Sequence, residues 1–186
     1  QTMYQPLDKW RFEIRLIEIL SHDDDEMVQC RLSISSLEDN PEFTALSYVW
    51  GSPKFTEDIV LNDQRFPVTV NLATALKYVK AHWRKNFPDR DPRLFRLWVD
   101  AICINQKDPD ERSSQVELMR DVYSKTELVL SWLGHGVDEI DIAFDALKTI
   151  AKETMELTTE YNGVGFLRLP YWRRIWIFQE LVLGKH

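Results

Sequence analysis

The chain has 186 residues, 44% of them apolar, with seven Trp, nine Phe and six Tyr, so a single domain with a sizeable core fits and disorder does not. Six Gly and eight Pro, 6 + 8 = 14, are too few for low-complexity linkers. With 23 basic against 30 acidic residues the net charge is −7, which disfavours a nucleic-acid partner.

Cys30 and Cys103 are the only two cysteines, too few for a disulfide framework, and no Asn-x-Ser/Thr sequon occurs. No apolar run approaches the roughly 18 residues of a membrane span, and residues 1–25 are too charged for a signal peptide. A reducing, cytoplasmic setting is expected.

In chain order, Trp10, Phe12, Ile14 and Leu16 alternate with polar residues as a half-buried strand does. The acidic run Asp23-Asp24-Asp25-Glu26 interrupts, and Val28, Cys30, Leu32 and Ile34 resume, which predicts an N-terminal hairpin. Phe43 to Trp50 reads as an apolar strand stopped by Gly51-Ser52-Pro53. Ile59–Leu61 and Phe66–Val70 flank Asn62-Asp63 as a second small hairpin.

Asn71 stands as N-cap of a helix with Leu72, Ala75, Leu76, Val79 and Trp83 on one face. Arg84, Lys85, Arg90, Arg93 and Arg96, interrupted by Asp89 and Asp91, read as a solvated loop. Leu94–Asp100 reads as a buried strand. Asp108-Pro109-Asp110-Glu111 sets a cap, a first-position Pro and an N3 Glu in order, predicting a helix to about Lys125. Glu127–Leu133 is a further strand. Ile140, Ala143, Phe144, Leu147 and Ile150 mark an amphipathic helix, and Tyr171–Leu183 a last one. From residue 43 the alternation predicts an α/β fold. Its sheet is expected to be mostly parallel, with helices on both faces and an N-terminal antiparallel β extension.

Several chemistries fall away. There is no phosphate-loop motif, Gly163-x-Gly165 meets Arg168 where a dinucleotide fingerprint needs Gly, and no Gly-x-Ser-x-Gly elbow exists. The four His, at 22, 82, 135 and 186, and the two Cys show no metal-ligand spacing, so no metal is expected. Cys103, between two Ile, fits a core residue better than a nucleophile. What remains is polar residues at the carboxyl ends of apolar strands, where open α/β sheets bind ligands. They are Ser47, Tyr48, Trp50 and Gly51 after one strand, Asp100, Asn105 and Gln106 after the next, and Ser131 with Trp132 after the third. Arg112 shares an apolar helix stripe with Val116, Met119 and Tyr123 and needs an anionic partner, either an internal carboxylate such as Asp100 or a ligand. Arg173, Trp176, Ile177 and Glu180 share one side of the last helix, where a Glu is partly desolvated.

Leu46-Ser-Tyr-Val-Trp-Gly51, Leu97-Trp-Val-Asp-Ala-Ile-Cys-Ile-Asn-Gln106, Glu111-Arg112 with Gln115, Trp132-Leu-Gly134 and Arg174-Ile-Trp-Ile-Phe-Gln-Glu180 together resemble the fungal heterokaryon-incompatibility (HET) domain. The resemblance makes 1–186 one such domain, with a β extension over 10–42 and a family core over 43–183. It implies a cytoplasmic trigger of programmed cell death after non-self recognition. It also implies remote kinship with TIR domains, hence a TIR-like, flavodoxin-like fold.

TIR domains carry an NAD-cleaving Glu in a Trp-x-x-x-Glu-Leu helix, which Trp176 to Leu181 is similar to. Residues 134–170 lengthen the interval between strand and motif beyond the TIR pattern. The implied catalytic residue is Glu180, with NAD as candidate substrate and no bound cofactor. Ser47, Tyr48, Trp50, Gly51, Asp100, Asn105, Arg112, Ser131 and Trp176 form the implied binding set. Expected partners are NAD or a related nucleotide, further copies of the chain on activation, and an upstream sensor. The leading alternative is a non-enzymatic module that kills by oligomerising and recruiting partners. A nuclease is the weakest reading. Asp100 and Arg112 are expected to face each other as a buried pair beside the pocket.

Overall fold

The computed structural model of the protein describes residues 3–20, 26–91 and 94–134. Among them seven strands form one sheet: β1 (Glu13–Ile19), β2 (Gln29–Ser36), β3 (Thr44–Tyr48), β4 (Thr56–Leu61), β5 (Gln64–Thr69), β6 (Arg96–Trp98) and β7 (Leu128–Trp132). Three helices accompany them: α1 (Val70–Asn86), α2 (Asp100–Cys103) and α3 (Pro109–Lys125). The helices expected at 140–150 and 171–183 lie outside the described residues.

Strand order is β5-β4-β2-β1-β6-β3-β7. β3 runs parallel to both β6 and β7, and β2 parallel to β4; β1–β2, β1–β6 and β4–β5 are antiparallel. The α/β expectation holds, but the sheet is mixed rather than mostly parallel. The N-terminal hairpin is no appendage either. β1 and β2 occupy the middle of the sheet, joining the β6-β3-β7 block to the β4–β5 hairpin. Because β1 has a neighbour on each side and cover on both faces, five of its seven residues are buried instead of every second one.

The local signals that set these elements are concrete. Asn62 and Asp63 both adopt left-handed φ, 49° and 62°, which suits a two-residue hairpin turn and is least costly for Asn and Asp. Trp10 does not begin β1. Asp8 caps a 3-10 turn at Lys9–Arg11 by accepting from Trp10 N, Phe12 turns left-handed, and Trp10 is left 91% exposed. Thr69, not Asn71, caps α1, its hydroxyl accepting from Leu72 N at 3.4 Å. The expected stripe of Leu72, Ala75, Leu76, Val79 and Trp83 is buried throughout.

Asp108 accepts from Asp110 N and Glu111 N and opens α3 with Pro109 in its first turn. The strand expected over Leu94–Asp100 shortens to β6, since Asp100 already begins α2.

Helices cover both faces around β3. Register places Trp98 beside Ala45, and its ring meets Tyr123 of α3 edge-on at 5.7 Å. Three residues along, Tyr48 pairs with Trp132, whose ring stacks on Tyr78 of α1 at 5.5 Å. Positions 45 and 48 point to opposite faces of a strand, so α3 and α1 flank the sheet on opposite sides.

Candidate functional site

The parallel block β6-β3-β7 gathers three carboxyl ends on one rim, with β3 in the middle. At that rim Trp50 Nε1 donates to Asp100 Oδ2 at 2.8 Å, joining the segments that leave β3 and β6. Asp100 Oδ1 accepts from Ala101 N at 2.7 Å, which fixes the carboxylate plane. Trp50 remains 41% exposed, so its indole is anchored by one atom while part of its surface meets solvent. Gly51 follows at φ +81°, a conformation that turns the chain sharply off β3 and that L side chains rarely adopt.

Asn71, in the first turn of α1, completes the rim. Its Nδ2 donates to Val49 O at 2.5 Å and its Oδ1 accepts from Trp132 Nε1 at 3.0 Å. One amide thus ties the exits of β3 and β7 to α1. Beside it, a cleft of about 410 Å³ between α1 and β7 is lined by Leu46, Tyr78, His82, Lys85, Ser131 and Trp132 among others. A groove of about 420 Å³ lies on the Gly51 side, bounded by Phe55, Thr69 and Asn71.

The expected binding residues therefore sort into groups. Trp50, Gly51 and Asp100 meet at the rim, and Ser131 lines the neighbouring cleft. Ser47 and Tyr48 are fully buried within β3 and belong to the core. Asn105 serves its own turn, its Oδ1 accepting from Lys107 N at 3.2 Å. Trp176 and Glu180 lie outside the described residues.

Arg112 and Asp100 do not form the expected buried pair. Arg112 is exposed and makes no ion pair among the described residues, whereas Asp100 faces Trp50. Helical periodicity brings both Glu111 and Arg112 near the apolar stripe, and the chain entering α3 decides between them. The segment before the helix folds over the Glu111 side, where Asn105 N donates to Glu111 Oε1 at 2.7 Å. Arg112 is left facing water.

The buried pair that does exist is Arg15 with Glu111. Arg15 Nη1 and Nη2 donate to the two carboxylate oxygens at 2.6 and 2.9 Å, a bidentate fork, with the side chains 1% and 11% exposed. Arg15, Glu111 and Asn71 escaped the reading of the sequence. An Arg at a charged position of an alternating strand resembles a solvent-facing residue, and Glu111 and Asn71 looked like helix-start residues. The one available signal is that Arg15 lies between Ile14 and Leu16, both core residues of a central strand.

Cys103 is a core residue, as expected. Burial pushes its thiol up to about 12, and its sulfur accepts from Val99 N at 3.3 Å. Burial raises the Cys30 thiol to about 12 as well. Neither supplies a thiolate near neutral pH. Among the described residues no group of three or more His, Cys, Asp or Glu is placed to hold a metal ion, and no helix is long and apolar enough to cross a membrane.

Comparison with known proteins adds to this geometry. The family model described as heterokaryon incompatibility protein (HET) matches residues 43–180. The chain is 37% identical over 131 residues to heterokaryon incompatibility protein 6, OR allele, of Neurospora crassa. That alignment takes in 68% of this chain and 19% of the relative, so the chain spans about a fifth of that protein's length. No solved structure matches the chain.

Proposed function

We propose, on the premise that this chain belongs to the heterokaryon incompatibility family, that it is a cell-death effector domain of fungal non-self recognition that hydrolyses NAD in a TIR-like site. The observation that carries this reading is the rim of β6-β3-β7. There β3 has a parallel neighbour on each side, the connections leave over opposite faces, and an anchored indole and a carboxylate stand at the exits. Open α/β sheets bind nucleotides at such a switch point.

In the reaction the bond between nicotinamide nitrogen and ribose breaks, and its electron pair neutralises the pyridinium. Water adds to the anomeric carbon and releases a proton. Because the leaving group departs neutral without protonation, a single carboxylate is enough. Glu180 would hold the ribose hydroxyls and stabilise the oxocarbenium-like centre as charge develops. The exposed surface of Trp50 offers stacking for a cationic ring, with Asp100 beside it. With the internal pair absent among the described residues, exposed Arg112 or backbone groups of the rim would take the pyrophosphate.

The test is incubation of the concentrated 186-residue chain with NAD and detection of nicotinamide. Wild type is expected to release it, and Glu180→Ala to lose roughly 10²-fold or more in rate. Unchanged turnover in Glu180→Ala removes Glu180 as the catalytic group. No turnover at high concentration favours a non-enzymatic module acting through self-association.

A further inference from the structure

Tyr4 and Arg15 precede the span that the family model matches, yet their side chains grip the short helix α2 that begins at Asp100. Tyr4 Oη donates to Ile102 O at 2.9 Å. Arg15 Nη1 donates to Cys103 O at 3.1 Å as well as to Glu111. Glu111 in turn accepts from Asn105 N at 2.7 Å. The cluster is closed by Gln5 O, which accepts from Arg15 Nη2 at 2.5 Å, and by the Tyr4 ring, whose centroid lies 4.9 Å from the guanidinium carbon. Three backbone groups between Ile102 and Asn105 are thus held from outside this segment by one set of side chains.

A buried ion pair adds little net stability over apolar residues of the same volume. An aliphatic residue would also suit the middle of β1, where Ile14, Leu16 and Ile17 are fully buried. What the fork supplies instead is direction, since its remaining hydrogen bonds end on Cys103 and Asn105, at the exit of α2, and on Gln5. We infer that Arg15, together with Tyr4 and Glu111, is a positioning residue. It fixes α2 and its exit, from Asp100 to Asn105, and thereby the reach of Asp100 Oδ2 to Trp50 Nε1. An N-terminal segment outside the family's matched span thus becomes a working part of the rim. Its consequence for turnover rests on the function proposed above; the positioning itself does not.

The experiment reads hydrogen exchange of indole N–H groups by NMR on the full chain, with resonances assigned through Trp50→Phe and Trp98→Phe. The paired variant Arg15→Met with Glu111→Leu removes the fork while keeping volume. Trp50 N–H is expected to exchange about ten-fold faster as α2 and its exit open locally, while fully buried Trp98 keeps its rate. Arg15→Lys, which keeps the charge but not the fork, should fall between. An unchanged Trp50 rate in the folded paired variant overturns the inference, and so does an equal rise at Trp98, which would mean general loosening. Should the paired variant not fold, Tyr4→Phe removes only the Ile102 contact. It must then speed Trp50 exchange by a smaller factor, and an unchanged rate there overturns the inference. Since nicotinamide release is not the readout, failure here and failure of NAD cleavage are separate results.

Discussion

The Arg15–Glu111 fork and the Trp50–Asp100 contact are both charge-assisted, and their surroundings differ. In the middle, Arg15 and Glu111 meet as a dry fork. At the rim, Asp100 accepts from an indole that is 41% exposed. The first is closed by protein on nearly every side, so its loss is felt by the fold. The second has one side open to solvent, so its loss is felt by whatever approaches. Similar donor and acceptor chemistry serves architecture in one place and presentation in the other, and hydration decides which.

That contrast breaks first at Glu111. Glu111→Ala leaves the guanidinium of Arg15 buried without its carboxylate, and denaturant unfolding should show a loss of roughly 3–5 kcal/mol. A loss below about 1 kcal/mol would mean that water reaches the fork and that the two regions are alike. The next effect is at Asn71, where Asn71→Leu strips partners from Val49 O and Trp132 Nε1. Equilibrium unfolding should register about 1–3 kcal/mol. A change in NAD turnover larger than that stability change would place the amide on the presenting side of the contrast.

Gly51→Ala is smaller. The added Cβ would sit 3.4 Å from Asn71 Cβ, an ordinary contact, so only the positive φ is strained, at roughly 1–2 kcal/mol by thermal melt. Smallest are Asp100→Asn and Arg112→Ala. Asp100→Asn leaves one acceptor oxygen where the carboxylate uses two, so either Trp50 Nε1 or Ala101 N loses its partner; stability should fall by about 1 kcal/mol while NAD cleavage is lowered. Arg112→Ala should melt within about 0.5 kcal/mol of wild type, because Arg112 is exposed and makes no ion pair among the described residues. A drop of several kcal/mol in Arg112→Ala would restore the pairing with Asp100 that the fold does not form.

What the sequence disclosed was local. The α1 stripe, the Asp108-Pro109 start of α3 and the Asn62-Asp63 turn each depend on residues within a few positions of one another, and all three formed as read. Trp50, Gly51 and Asp100 were legible as rim residues because strand ends can be located without knowing strand order. The hydrogen bond between Trp50 and Asp100 was not, since it spans fifty positions. Nor was the place of β1 and β2, because an alternating pattern tells which face is apolar and not which strand lies alongside. Arg15 was hidden for a related reason: its burial comes from Tyr4, the end of α2 and Glu111 of α3 folding over its face of β1. Glu111 and Arg112 show the finer limit. Adjacent on one helix, they were told apart by a loop folding back, which helical periodicity does not contain.

The central position of β1 and β2 bears on what the rest of the sheet would be without them. β1 and β2 precede the other described strands in the chain yet lie in the middle of the sheet, with β4 and β5 on one flank and β6, β3 and β7 on the other. A polypeptide started at residue 43 would leave β6 without β1 and β4 without β2, each with ladder groups open to another chain. Exposed edges of that kind recruit strands from neighbouring molecules. In place, β1 and β2 guard against that recruitment by covering one edge each, β1 that of β6 and β2 that of β4.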